Sequence, residues 1–144
     1  MQTWRYLFAA SAVLFVVGVV VQILLAGWGV TGLGGQGMNI HMQFGYWLSL
    51  APVIPLILAW PARAGRQTVV MCAVLLVITF VQTLLPSTAP GRANIPWIAA
   101  LHPITAFVVL GLGIMVARRA VALARAEPTP APAAEEPAPA TRQA

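Results

Sequence analysis

The chain has 144 residues, of which 60% are hydrophobic and 8% charged, against about 25% charged in ordinary soluble domains. The charged set is eight arginines and three glutamates, with no lysine or aspartate, and Glu127, Glu135 and Glu136 all follow residue 126. This excludes a soluble globular domain, a paired-carboxylate enzyme, a calcium site and any carboxylate metal cage, and the scattered arginines make no nucleic-acid-binding run.

The composition is that of an integral membrane protein, and about 20 apolar residues are needed for each helical crossing. Four stretches qualify in chain order: 6–27, 40–60, 68–86 and 96–117. None contains Asp, Glu, Lys or Arg. The backbone must satisfy its own hydrogen bonds in hydrocarbon, so each is predicted to be a helix. The first span is too long for a secretory signal and no small-residue cleavage motif follows it, so it is read as a permanent helix. Residues 27–39, GWGVTGLGGQGMN, hold six glycines and are predicted to form a pliable outer loop. Pro52 and Pro55 should bend the second span, Pro96 suits a first helical turn, and Pro103 should kink the fourth span beside His102. The four-helix bundle is expected over 1–120. The remainder, 121–144, becomes a Pro/Ala-rich disordered cytoplasmic tail, its composition plainest from residue 126.

Arg5, Arg63, Arg66, Arg118, Arg119 and Arg125 all fall on one side of such a four-span chain, and Arg92 alone on the other. The positive-inside rule makes the first side cytoplasmic, with both termini inside a plasma (bacterial inner) membrane. Trp4, Trp28, Trp60 and Trp97 fall at span ends, where amphipathic rings prefer the interface, and Trp47 lies inside a span. Cys72 is the single cysteine and has no intramolecular partner.

The spans contain a weak internal repeat. Val21-Gln22-Ile23-Leu24-Leu25 aligns with Val81-Gln82-Thr83-Leu84-Leu85, and His41 with His102. Four residues past each histidine stands a small residue, Gly45 or Ala106. Two pseudo-symmetric two-helix hairpins would have the same orientation, and would set both histidines at one depth in the outer half of the bundle. Polar residues inside spans are costly and are functional candidates by default.

These are the chain's two histidines. Zinc would want four ligands and copper a thiolate or thioether, and a proton relay usually adds a carboxylate. Haem iron takes two axial ligands, and histidine suits it. The expectation is one haem b per chain, with His41 and His102 as metal ligands and Gly45 and Ala106 giving its flat face room to approach the helices. Gln22 and Gln82 either bond between helices or serve the haem edge or an imidazole Nδ1–H. Arg92 is either a counter-charge for haem propionates or an ordinary loop arginine.

The arrangement resembles one half of haem A synthase. The matching pieces are His41-Met42-Gln43-Phe44-Gly45 and His102-Pro103-Ile104-Thr105-Ala106. It also resembles a group of small bacterial four-helix membrane proteins with V-Q-x-x-L, H-x-x-x-G and L-H-P motifs, over residues 4–120. The resemblance implies an all-α transmembrane bundle and a b-type haem. Haem A synthase typically has an arginine after a ligand histidine, where Met42 and Pro103 stand here, and a cysteine pair and carboxylate in its first outer loop, which 27–39 lacks. The synthase's oxidation chemistry is therefore not carried over. The leading expectation is a bis-histidine haem protein for electron transfer or haem carriage rather than an enzyme, exchanging electrons with a quinone or a partner protein. The alternatives are a non-redox accessory or transporter-like subunit with structural histidines, and an oxidoreductase acting on a quinone or haem group.

Overall fold

The computed structural model describes residues 1–32, 35–85 and 96–126. The described residues are helical, joined by short turns: α1 Gln2–Thr31, α2 Gly35–Leu50, α3 Val53–Leu58, α4 Arg66–Leu84 and α5 Pro96–Arg125. α2 and α3 together make one span-length unit, so four helical units are long and apolar enough to cross a membrane.

The break between α2 and α3 follows from the two prolines expected to bend that span. Pro52 and Pro55 have no N–H for the carbonyls of Leu48 and Ala51. The preceding residues take those acceptors with tighter bonds, Ala51 N–H to Leu48 O at 3.1 Å and Ile54 N–H to Ala51 O at 3.1 Å. Pro96 opens α5 as its first residue, whereas α5 continues through Pro103 without ending there. The turn after α3 closes with Ala64 N–H on Ala59 O at 3.0 Å and Arg63 in the left-handed region at φ 56°. That is the Schellman closure, with arginine where glycine is usual.

Three boundaries differ from the sequence expectation. α1 and α5 have 30 residues each, about 45 Å at 1.5 Å per residue, so they overrun 6–27 and 96–117. α5 reaches Arg125, and 121–125 is therefore helix rather than tail. The glycine-rich 27–39 segment is mostly helical: α1 runs to Thr31 and α2 starts at Gly35. The reason is packing. A Cβ on Gly37 would stand 2.8 Å from Gly29 Cα, and one on Gly29 would stand 2.9 Å from Met38 N. The glycines let two backbones touch, as small residues do between membrane helices, and the contact offsets their poor helix propensity.

Around the bundle, α1 packs on α2 and α5, while α4 packs on α2 and α5, so α2 and α5 face each other across the diagonal. The core is a seam of buried stripes, Phe8, Ala12, Phe15 and Val19 on α1, Thr68, Cys72, Leu75 and Thr79 on α4, and Val109, Val116, Ala120 and Ala124 on α5. Alanines hold the helices close. The outer faces are apolar as well: Leu14, Leu24, Ile57 and Phe107 are each more than 60% exposed. A surface of that kind is the reverse of a soluble protein's and matches hydrocarbon surroundings. Trp4, Trp28 and Trp60 lie at helix ends and are exposed.

Candidate functional site

His41 sits on α2 and His102 on α5, the two diagonal helices, yet their imidazole centres are 6.1 Å apart with ring planes at 82°. Each histidine is half-buried and each is clamped to the helix before it. His41 Nδ1 lies 3.1 Å from Gln22 O on α1, and the Gln22 side-chain amide donates back to His41 O at 2.9 Å. His102 Nδ1 lies 3.1 Å from Gln82 O on α4, and the Gln82 amide donates back to His102 O at 2.7 Å.

The main-chain carbonyl decides the tautomer. It can only accept, so each Nδ1 carries the proton and donates it. Each Nε2 is left with its lone pair in the plane of the ring. That is the state in which histidine ligates a metal, with the far nitrogen fixed by a hydrogen bond that orients the ring. The glutamine side chain contributes indirectly: by bonding the histidine's own carbonyl it sets the register that brings Nδ1 to the partner carbonyl.

The two clamps differ in their surroundings. Gln82 Oε1 accepts from the Thr105 hydroxyl, one turn beyond His102. The corresponding place after His41 is Phe44, which has no donor, and among the described residues Gln22 Oε1 is buried without a partner. The Gln22 amide nitrogen also lies 3.4 Å from His41 Nε2, at the outer limit of a hydrogen bond, where it competes weakly for the lone pair. A Cβ on Gly45 would stand 2.6 Å from that same amide nitrogen. Gly45 thus makes room for Gln22, where the sequence suggests room for a cofactor face. Ala106 is half-buried beside the second clamp.

Gln22, Gln82, His41 and His102 are therefore brought to one level, with Gly45 and Ala106 one turn along. Arg92 lies outside the described residues. Thr105 and the reciprocal main-chain bonds are not anticipated from the sequence; threonine three residues after a histidine is the one local signal. Cys72 is ten residues before Gln82 on α4, about 15 Å along the axis, too far to join the pair. Among the described residues no three His, Cys, Asp or Glu side chains gather as a metal cage. The donor set is thus two neutral imidazoles, which fits a metal that brings its own equatorial ligands. Comparison with protein-family models, curated proteins and solved structures finds no match for the chain.

Proposed function

We propose that the protein is an integral membrane b-type haem protein in which His41 and His102 are the two axial ligands of one haem b, serving electron transfer or haem carriage. The observation that carries the reading is the 6.1 Å between ring centres. Metal–imidazole bonds are about 2.0–2.1 Å and a ring centre lies about 1.1 Å behind its nitrogen, so two imidazoles sharing one ion would have centres roughly 6.2–6.4 Å apart, close to the separation here. The shared Nδ1–H tautomer supports it, since both free nitrogens are in the ligating state.

The chain's own groups divide the work. His41 and His102 present neutral nitrogens, while Gln22 and Gln82 hold the rings' orientation through the main chain. Haem, when bound, would supply a one-electron iron couple, with His41 and His102 as the residues that would hold it. A quinone or a redox protein is the exchange partner this role requires. The matched clamps further support two pseudo-symmetric hairpins, α1 with α2 and α3, and α4 with α5, and the arginine distribution supports insertion in a plasma membrane with both termini on the cytoplasmic side.

Reduced-minus-oxidised spectra of protein purified from haem-replete cells test the reading. A sharp b-type α band is expected, and full-length protein without one refutes it. The rival, histidines with only a structural role, draws on the Gln22 amide beside His41 Nε2. It predicts modest destabilisation and unchanged absorbance in His41→Ala and His102→Ala.

A further inference from the structure

At the opposite end of the bundle from the histidines, a cleft of about 420 Å³ opens between α1 and α5. Its walls are Val13 and Val17 on α1 and Ile114, Ala117 and Val121 on α5, with Arg118 and Arg125 also lining it. On α5 these positions recur every three, four or seven residues, so they form one stripe. From Ile114 to Arg125 the stripe runs eleven residues, about 16 Å. One surface therefore combines a long apolar wall with two guanidiniums. At the C-terminal end of α5, Arg5 Nη1 donates to Ala126 O at 3.4 Å, and Arg5 Nε is buried with no partner among the described residues.

Arg118 and Arg125 put two positive charges on this surface, and no described residue can pair with them, because positions 1–126 contain no carboxylate. Arg119, next in sequence, is different, since it donates to Gln67 Oε1 at 3.0 Å across α4. Bulk lipid would cover an apolar cleft, but it would leave the charge unanswered. An occupant must supply an apolar chain and an anion at one end of it.

We infer that this cleft binds an anionic phospholipid, one acyl chain lying between α1 and α5 and the phosphate held by Arg118 and Arg125, with Arg5 adding to the local positive potential. Guanidinium is the side chain suited to phosphate, offering paired donors in a plane. Basic pockets between membrane helices on the cytoplasmic side take anionic head groups. The site is separate from the histidine pair and does not depend on haem.

Native mass spectrometry of the full chain, delipidated in detergent and titrated with phosphatidylglycerol or phosphatidylcholine, tests it. Phosphatidylglycerol adducts are expected at much lower lipid concentration than phosphatidylcholine adducts. Each arginine near an anionic surface is worth roughly a five-fold change in affinity, so Arg118→Gln with Arg125→Gln should weaken phosphatidylglycerol binding about 25-fold. Arg119→Gln, outside the cleft, should leave it unchanged. Glycerol phosphate, the head group without tails, should not compete. Equal retention of the two lipids, undiminished binding by the double variant, an equal loss in Arg119→Gln, or competition by glycerol phosphate would each overturn the assignment.

Discussion

The clamps around His41 and His102 are made of the same two bonds, a ring nitrogen on a glutamine carbonyl and a glutamine amide on a histidine carbonyl. They differ one turn further along. The second clamp has Thr105 to complete Gln82, and the first has Phe44 and an unpartnered Gln22 oxygen. The second is a closed polar network. The first leaves an acceptor open and needs Gly45 to accommodate its amide. The lesson is that orienting an imidazole takes only the two shared bonds, while the neighbouring residues decide how firmly the glutamine itself is held.

The largest expected effect tests what the clamps share. If the protein holds haem as proposed, His41→Ala and His102→Ala should each abolish the α band of the purified protein, because one remaining imidazole would not keep a six-coordinate iron. A variant that retains the wild-type spectrum would break the equivalence. Next is Gly45→Val, which would drive a side chain into the Gln22 amide. It should cost about 1–3 kcal/mol in reversible detergent unfolding, whereas Ala106→Val at the matching place should cost less. A smaller effect separates the glutamines. Gln82→Leu removes two side-chain bonds between helices, and Gln22→Leu removes one of normal length beside the weak 3.4 Å contact to His41 Nε2. At about 0.6 kcal/mol for each such bond in a membrane protein, losses near 1.2 and 0.6 kcal/mol are expected in the same assay. The smallest is Thr105→Val, about 0.6 kcal/mol alone and close to nothing on a Gln82→Leu background. Such a double-mutant cycle isolates the Thr105–Gln82 term.

Much of this is legible in the amino-acid sequence. The absence of charge within the four apolar stretches implied helices of membrane-crossing length, and Pro52 and Pro55 marked the break between α2 and α3. The pairing of Gln22 with His41 and of Gln82 with His102 can be suspected from their nearly equal spacing, 19 and 20 residues, because few other strongly polar groups lie in the spans. The glycine-rich segment was not legible in the same way. Gly29 and Gly37 read as loop residues by propensity, and their role as a contact point between two backbones depends on which helix lies opposite. Thr105 was hidden for a related reason. A threonine within a helix ordinarily donates to its own preceding turn, and Leu101 O lies 2.9 Å from this hydroxyl; nothing local says that its single proton can go instead to a glutamine on another helix.

The choice of a main-chain carbonyl as the acceptor for each imidazole proton has an electronic consequence. A carboxylate in that place would draw the proton away and push the ring toward imidazolate, enriching the metal with electron density. An amide carbonyl is too weak a base to do so, and residues 1–126 contain no carboxylate that could take its place. On the proposed reading, both ligands stay neutral donors and the ferric charge gains no anionic neighbour from the helices. A haem held there would have its ferrous state favoured accordingly, and its midpoint potential would lie higher than in a site whose histidines lean on acids.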